Sequence, residues 1–349
     1  MKIAKNDLFR IFTGMENIKL SILDQSQVRR NGTAKQALDE SGELVQLAEQ
    51  LGYTRYWVSE HHNFKMLAGT APEVLIPYLA SKTTTIKIGS GGIMLPNHSA
   101  FKVAEIFGLL ETLYPNRIDL GIGRAPGGDR ISSYLLNPSN NFSEKEYAQQ
   151  LVDLQAFLRH ESQAETVHEK VKSFPKPENL PEMWILSSSG GSAQFAAHFG
   201  MGLSFAQFIN PDGGAETAAF YRANFKPSAE LKGPKVNVGI FAFCSEDEQK
   251  VADWITEFDY RMLHIESGAT GDLPSFEEIK NIKYNLQQKA RIAYNRGRFI
   301  AGSPEKLKVE IEKIASDYET DEIMIATIAE DFEDRKKSYE LLASLFLKS

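Results

Sequence analysis

Cysteine is nearly absent from this sequence, since Cys244 is the single one among 349 residues. A lone cysteine cannot form a disulfide within the chain, and it cannot supply the several thiolates of a cysteine-ligated zinc site. The sequence therefore excludes the class of small, disulfide-stabilised secreted domains, and it is typical of a protein in the reducing cytoplasm. Because nothing near Cys244 would activate its thiol, we expect this residue to be a small buried apolar side chain.

Long hydrophobic runs and an excess of basic charge are also missing. The longest apolar stretches, such as residues 323–328, have the length of a strand and fall far short of the roughly 20 residues that cross a bilayer. The N-terminal segment is interrupted by Arg10 and lacks the apolar core of a signal peptide. Acidic residues outnumber basic ones by 46 to 39, which gives a net charge of −7. We therefore expect neither a membrane nor a nucleic acid as partner.

The first 16 residues precede the first clear strand pattern. Met15 stands just before the run Ile18-Lys19-Leu20-Ser21-Ile22-Leu23, so a start at Met15 would remove only residues 1–14. We expect residues 1–16 to be a flexible leader and residues 17–349 to form one domain.

Short apolar runs alternate with amphipathic segments along the rest of the chain. Eight runs predict strands, at residues 18–23, 55–59, 86–90, 117–122, 183–187, 202–206, 235–243 and 321–327. Several are apolar at successive positions, as is typical of parallel strands covered on both faces. The segments between them predict helices, for example the stripe Leu44, Leu47, Ala48 and Leu51 with Gly52 as its C-terminal stop. Eight such units favour a single α/β domain, the (β/α)8 or TIM barrel, over an open doubly wound sheet with two similar halves.

Two connections are longer than a strand–helix–strand unit requires. Residues 124–182 follow the fourth predicted strand, and residues 245–320 follow the seventh. Each begins at the carboxyl end of a strand, which is the barrel face that carries active sites. We expect both to be long insertions of helix and loop that cover the site.

Histidines follow the second predicted strand, in the segment Glu60-His61-His62-Asn63. A metal site is the weaker interpretation, because adjacent side chains on an extended chain point to opposite faces and no HxH or HExxH spacing is present. A solvated loop is the plainest interpretation. The functional one is that a single histidine faces the site as a hydrogen-bond donor or general base, since its pKa can be tuned near neutrality.

Paired glycines end the third strand, in Gly89-Ser90-Gly91-Gly92-Ile93-Met94. Glycine weakens a strand interior, so two adjacent ones need a reason. One reason is a flexible loop. The other is a backbone that lies flat against a ligand with a geometry that only small residues permit.

The fourth and fifth strands end in residues suited to an anion. The segment Gly121-Ile122-Gly123-Arg124 does not match a dinucleotide-binding fingerprint, because Pro126 stands where that motif opens a helix. Arg124 is instead a candidate phosphate ligand. The segment Ser187-Ser188-Ser189-Gly190-Gly191-Ser192 opens a helix and offers hydroxyl groups and unpaired N–H groups, although a well-capped helix would look the same. The absence of a GxSxG motif argues against a serine hydrolase.

Together these four segments resemble the bacterial luciferase-like, flavin-dependent monooxygenases. The motifs occur in the same order, and the resemblance runs from about residue 17 to the C-terminus. It implies a barrel that binds reduced FMN at its carboxyl-end face and reacts with O2 and a small organic substrate. It also implies a separate NAD(P)H:flavin reductase and a homodimer. The deazaflavin F420 serves some relatives and is the less favoured cofactor here.

The resemblance assigns roles to individual residues. Arg124, Ser189 and Ser192 match the phosphate ligands, and Ser188 supplies backbone. Gly91-Gly92 matches a non-prolyl cis peptide against the flavin ring, and His61 matches the catalytic histidine. From the same motifs, Glu60, Ser90 and Gly190 are placed among the cofactor-binding residues, and no metal ligand is assigned.

Two further expectations follow from that assignment. Gly92→Val should abolish flavin binding and leave the melting curve of the flavin-free protein nearly unchanged, because its cost would be a clash with the ligand. His62 should point away from the site and matter less than His61.

One position departs from the luciferases. They carry a reactive cysteine directly before the arginine that matches Arg124, and this chain has Gly123 there. Light emission is therefore not expected, and the substrate stays unidentified. The alternatives to an FMN-dependent monooxygenase are a non-catalytic flavin-binding protein and an F420-dependent hydride-transfer enzyme of the same fold.

Overall fold

The structure is a computed structural model that describes residues 17–139, 141–162, 164–268 and 273–347. The expected leader, residues 1–16, lies outside the described residues. Nine strands are present in the described part of the chain: β1 (Lys19–Asp24), β2 (Arg55–Val58), β3 (Lys87–Met94), β4 (Ile118–Gly123), β5 (Glu182–Ser187), β6 (Gly202–Ala206), β7 (Val236–Cys244), β8 (Phe299–Gly302) and β9 (Glu322–Ala326).

Helices fill the connections between these strands. They are α1 (Ala34–Gln50), α2 (Pro72–Ala80), α3 (Ala100–Leu113), α4 (Arg130–Leu136), α5 (Glu144–Arg159), α6 (Val167–Lys170), α7 (Gly190–Phe199), α8 (Gly214–Asn224), α9 (Glu248–Glu266), α10 (Phe276–Ile279), α11 (Leu286–Asn295), α12 (Pro304–Asp317) and α13 (Phe332–Phe346). Short 3-10 turns occupy Leu95–Asn97 and Arg296–Arg298. No helix among the described residues is both long and apolar enough to cross a membrane.

Eight of the strands close into a parallel barrel. Strands β1 to β7 pair in sequence, and β9 pairs with both β7 and β1. The register places Ile22 of β1 opposite Tyr56 of β2 and Ile325 of β9. This closure excludes the open sheet and confirms the predicted (β/α)8 barrel.

Strand β8 is an addition that the sequence patterns did not predict. Residues 238 and 241 of β7 each pair with β9. The opposite edge of β7 pairs with β6 along its amino-terminal half and with β8 along its carboxyl-terminal half. The short strand β8 therefore extends the β6 edge at the carboxyl end of the barrel. Residues 245–320 do hold the expected helix and loop, but the strand within them was not predicted. A four-residue strand directly after Arg298 is too short to give a periodic signal.

Local signals set the helix boundaries much as expected. Helix α1 begins after Thr33, whose side chain and that of Gln36 form a capping box. Leu44 and Ala48 of α1 are fully buried, and Leu47 and Leu51 pack at the edge of the same core. Gly52 follows with a φ of 81°, a conformation that glycine adopts at little cost. The predicted stripe and its stop are thus confirmed.

The amino-terminal end of the barrel is filled by a buried ion network. The Arg55 guanidinium donates to Asp119 and to Glu322, both at 2.6 Å, and the three side chains are almost fully buried. These carboxylates raise the pKa of Arg55 above its ordinary value, although burial alone would lower it. Because this end is closed by side chains, the opposite end is where a ligand can enter.

Candidate active site

A cavity of about 710 Å³ lies at the carboxyl ends of the barrel strands. Its volume falls within the roughly 300–1,000 Å³ that is usual for small-molecule sites. The carboxyl ends of β1 to β6, or the segments that follow them, all contribute to its wall. Among the predicted site residues, those that line it are His61, Gly91, Arg124, Ser188, Ser189 and Ser192.

His61 reaches this cavity directly after β2. Its Nδ1 lies 3.0 Å from the Ser59 hydroxyl, and its backbone N–H donates to the Gly69 carbonyl at 2.9 Å. The Phe64 ring contacts the imidazole edge-on, with centroids 6.2 Å apart. Burial lowers the pKa of His61 to about 4, even though the Glu60 carboxylate acts in the opposite direction. The imidazole is therefore neutral at pH 7, so it can both accept and donate a proton.

His62 points away from the cavity, as predicted from the alternation of side chains. Its Nε2 lies 2.8 Å from an oxygen of Glu60, and its backbone N–H donates to the Gly127 carbonyl at 2.9 Å. These contacts attach the loop after β4 to the end of β2. His62 thus helps to hold the loops around the cavity in place and does not face the cavity.

Glu60 lies behind the cavity wall, at the centre of a hydrogen-bond cluster. Its fully buried carboxylate is hydrogen-bonded to four groups at 2.8–3.1 Å. They are the His62 and His98 imidazoles, the Asn97 amide and the Met94 backbone N–H. Burial alone would raise the pKa of Glu60, but the hydrogen bonds from His98 and His62 hold it below its ordinary value. The structure thus places this predicted cofactor ligand where it joins the ends of β2 and β3.

The Gly91–Gly92 peptide bond is cis, as the family resemblance implied. Gly91 lines the cavity, and a Cβ there would stand 2.8 Å from Cδ1 of Leu23. Ser90 points the other way, because its hydroxyl donates to the Gly121 carbonyl of β4 at 2.9 Å. The backbone of Gly91 is therefore the part of this segment that a ligand can approach.

Gly92 contacts the barrel and does not line the cavity. A Cβ at this position would lie 2.6 Å from the Gly121 carbonyl oxygen and would overlap the Leu186 side chain. The expectation that Gly92→Val costs only ligand binding is therefore wrong. The clash falls on the backbone of β4, so the substitution would disturb the barrel itself.

The start of α7 and Arg124 form one end of the cavity. Ser189 precedes the helix, and its side chain caps none of the helix N–H groups. Nη2 of Arg124 would lie 3.3 Å from a Cβ on Gly191, so the guanidinium stands beside the first turn of α7. The Asn210 side chain donates to the Ser188 carbonyl at 3.0 Å and holds this segment in place. Unpaired helix N–H groups, serine hydroxyls and a guanidinium together make an anion site, which we name the phosphate end.

Several residues of the cavity wall were not predicted as site residues. Gln25 follows β1, Met94 ends β3, Leu186 is on β5, and Phe208 follows β6. Apolar residues near strand ends look like ordinary core in a sequence, so only the closed barrel shows which of them face the cavity. Gln25 did carry a signal, because it is a polar residue at the carboxyl end of a strand.

Cys244 behaves as expected of a buried apolar residue. It is 1% exposed at the end of β7, and burial raises the pKa of its thiol to about 12. A thiol of this kind is protonated and unreactive at neutral pH. Within the described residues, no group of three or more His, Cys, Asp or Glu side chains is arranged to hold a metal ion.

The site is suited to a flat organic cofactor with a phosphate group. The anion site can receive the phosphate, the Gly91 backbone leaves room for a ring, and a neutral histidine stands in the same cavity. The chemistry of these residues fits a flavin-type cofactor.

Comparison with known proteins agrees with this interpretation. Residues 18–320 match the family model of the luciferase-like monooxygenases. The chain is similar to the uncharacterised protein YwcH of Bacillus subtilis, with 43% identity over 94% of this chain and 99% of that one. It is also similar to the N-acetyl-S-alkylcysteine monooxygenase of the same organism, with 32% identity over 95% of this chain and 98% of that one.

Solved structures share the architecture. Apo-MsnO8 superposes with a TM-score of 0.87 at 32% identity, covering 94% of this chain and 98% of that one. An FMN complex of a type II Baeyer–Villiger monooxygenase from Pseudomonas putida has a TM-score of 0.67 at 17% identity, over 95% and 98% of the two chains. An F420-dependent secondary alcohol dehydrogenase has a TM-score of 0.68 at 10% identity, over 95% and 100%, and at such identities the likeness shows the fold alone. From the family model and the relatives above 30% identity, the chain belongs to the luciferase-like monooxygenase family.

Proposed function

We propose that this protein is an FMN-dependent monooxygenase that uses reduced FMN and O2 to oxygenate a small organic substrate. The observation that carries the proposal is one cavity that combines an anion site at Arg124 and α7 with a neutral, half-buried histidine and an apolar wall. In the overall reaction, one oxygen atom of O2 enters the substrate and the other leaves as water, while reduced FMN is oxidised to FMN. Bound reduced flavin supplies the two electrons for this reaction.

The residues of the chain bind and orient the cofactor in this proposal. Arg124, Ser189 and Ser192 hold the phosphate, helped by the backbone N–H groups of Ser188 and Gly190. The Gly91 backbone lies against the ring. Glu60 joins the end of β2 to the end of β3, Ser90 joins β3 to β4, and both act on the cofactor only through those strands.

His61 moves a proton in this proposal. Its Nδ1 is engaged with Ser59, so Nε2 is the nitrogen that faces the reacting groups. A neutral Nε2 can take up a proton from the reaction and return it, which is worth typically 10²–10⁴-fold in rate. The tautomer is set by whether the Ser59 hydroxyl donates to Nδ1 or accepts from it.

Two alternatives share the same fold. The structural neighbours include an FMN complex and an F420-dependent enzyme, and an anion site alone does not separate these cofactors. A flavin-binding protein without turnover is less favoured, because His61 stands in the cavity beside the phosphate-binding set.

A binding experiment tests the proposal. The protein is titrated with FMN, riboflavin and F420, each oxidised and then anaerobically reduced, and the dissociation constants are compared. We expect FMN to bind at least tenfold more tightly than riboflavin, since riboflavin lacks the phosphate that Arg124 would hold. Tight binding of F420 with no detectable binding of FMN would transfer the proposal to the F420-dependent alternative.

The reduced cofactor needs a source, and a separate NAD(P)H:flavin reductase is part of the proposal. In this proposal the cavity at the carboxyl ends of the strands is assigned to the flavin and the substrate. The single cysteine, buried and unreactive, supports a place in the cytoplasm.

We also propose that two copies of the chain associate through α2 and α3. Val74 on α2 is 68% exposed, and Leu109 and Leu113 on the neighbouring α3 are 47% and 57% exposed. Exposed apolar side chains on adjacent helices are typical of an interface. Light scattering should give the mass of a dimer, and Leu113→Glu should give that of a monomer. A wild-type monomer at micromolar concentration would contradict this part of the proposal.

A further inference from the structure

Charge is confined to one end of the cavity. Arg124 and Glu144 are the charged side chains among its lining residues, and they lie 3.8 Å apart. Glu144 also accepts a hydrogen bond from Gln194 of α7 at 2.8 Å, which ties the pair to the phosphate end. In the proposed complex, the FMN phosphate uses the positive charge of Arg124.

The other described residues of the wall are uncharged. Its surface is mainly apolar and comes from Leu23, Met94, Leu186, Ala206, Phe208 and Ile209. The polar groups there are Gln25, Ser59 and His61, and His61 is neutral because burial lowers its pKa to about 4. Whichever part of this wall the flavin ring covers, the described lining residues that remain for a substrate are neutral.

Two acidic residues that adjoin lining residues in the sequence do not supply a charge to this space. Asp24 precedes Gln25, but its buried carboxylate accepts from Arg335 at 2.8 Å and from Tyr56 at 2.6 Å. Glu60 precedes His61, but its carboxylate is engaged by His62 and His98. Each of these charges is paired on the far side of the wall.

Gln25 differs from the other polar residues of the wall. Within the described part of the chain, its side-chain amide has no hydrogen-bond partner. Gln27, two residues further on, donates its amide to Glu330 at 3.3 Å. An amide that lines a largely apolar cavity without a protein partner is a group that a ligand can satisfy, and leaving it unpaired beside a bound apolar ligand would cost free energy.

We propose that the uncharged part of the cavity is a subsite for a neutral, mainly apolar organic molecule, and that Gln25 hydrogen-bonds its one polar oxygen. This inference rests on the proposed function, because the phosphate end is reserved for FMN. It names the substrate class as uncharged compounds such as ketones and excludes carboxylates and other organic anions. An anion would have to be desolvated in this subsite, and Arg124, the cation among the described lining residues, is taken by the FMN phosphate.

Three probe molecules of similar shape separate the effect of a negative charge from the effect of the polar oxygen. Acetophenone is a neutral ketone, para-acetylbenzoate is the same ketone with a carboxylate, and ethylbenzene lacks the oxygen. Each is titrated into the FMN-loaded protein, and binding is read from the change in the flavin absorbance spectrum. We expect acetophenone to bind at least tenfold more tightly than para-acetylbenzoate, and more tightly than ethylbenzene.

A matched pair of variants tests Gln25. Gln25→Leu keeps the size of the side chain and removes its hydrogen-bonding groups. It should weaken acetophenone binding by about 2- to 10-fold, leave ethylbenzene binding equal or tighter, and leave FMN binding unchanged. Gln46→Leu, at an exposed position on α1, is the control and should change none of these.

The outcomes distinguish this inference from the proposed function. If the wild-type protein does not bind FMN, the proposed function fails first. If FMN binds and the carboxylated probe binds as well as acetophenone, or acetophenone does not bind at millimolar concentration, the neutral subsite is contradicted. If Gln25→Leu weakens FMN binding instead of acetophenone binding, Gln25 contacts the cofactor and its assignment to the substrate is wrong.

Discussion

Replacement of Arg124 by alanine should weaken FMN binding while riboflavin binding stays nearly constant. The guanidinium stands beside the first turn of α7, where a phosphate would meet it together with the helix N–H groups. A hydrogen bond to a charged group contributes about 1.5–3 kcal/mol, which corresponds to roughly a 10- to 150-fold change in affinity. Because the Arg124 side chain is 36% exposed, solvent and salt screen the contact. We therefore expect a loss in the lower part of that range, roughly 10- to 30-fold.

The neighbouring carboxylate allows a second test of the same contact. Glu144 lies 3.8 Å from Nη1 of Arg124, so its negative charge opposes the phosphate. Glu144→Gln should strengthen FMN binding by up to about fivefold, the upper value for an exposed ion pair. The gain should shrink at high salt.

Fluorescence titration of FMN and riboflavin at two salt concentrations measures both effects. Arg130→Ala is the control, because Arg130 is an exposed arginine that begins α4, close to Arg124 in sequence. Arg124→Ala should also leave the melting temperature within about 2 °C of wild type, since the side chain is at the rim of the cavity. An equal loss of affinity for FMN and riboflavin would refute the assignment of the phosphate to Arg124.

Four further predictions concern the wall behind and beside the cofactor. His61→Ala should leave FMN affinity within a few-fold and lower the rate of substrate oxygenation by 10²–10⁴-fold, whereas His62→Ala should lower that rate much less. Equal rates for the two variants in steady-state assays would show that the catalytic histidine is misassigned. Burial depresses the pKa of His61 to about 4, so between about pH 6.5 and 4 the unfolded chain binds the proton more readily than the folded protein does. As the pH falls through that window, chemical denaturation should show that the wild type loses more stability than His61→Gln does. Glu60→Gln should raise KM for FMN and lower kcat, because the Glu60 carboxylate is hydrogen-bonded to both the His62 and His98 imidazoles. If KM and kcat were both unchanged, this cluster would not position the site. Gly92→Ala should lower the melting temperature of the flavin-free protein by several degrees, because its Cβ would stand 2.6 Å from the Gly121 carbonyl oxygen. Gly190→Ala should not lower it, because a Cβ at Gly190 would lie 3.8 Å from its nearest neighbouring atom.

The barrel and the position of its site could be predicted because both follow from simple periodicity. Eight apolar runs separated by helices define the closed sheet, and parallel strands bring their carboxyl ends to one face. Residues far apart in sequence, such as His61, Arg124 and Ser189, could therefore be placed together. The alternation of side chains expected after β2 also predicted that His61, and not His62, lines the cavity.

What could not be predicted depends on contacts between distant segments. Glu60 looks like a polar loop residue until the end of β3 brings His98 and the Met94 N–H onto its carboxylate. Gly92 looks like its neighbour Gly91, and only the pairing with β4 shows that its missing side chain makes room for Gly121. The short strand β8 is defined by its pairing with β7 and has too few residues for a pattern of its own.

Oxygen consumption with reduced FMN tests the central claim most directly. The protein is mixed anaerobically with photoreduced FMN, then exposed to O2 labelled with oxygen-18, with a neutral candidate substrate either present or absent. We predict hydrogen peroxide release without substrate, and with substrate a fall in peroxide matched by product carrying one labelled oxygen atom per FMN oxidised. Peroxide release that no substrate suppresses, at the rate of free reduced FMN and without labelled product, would contradict the account.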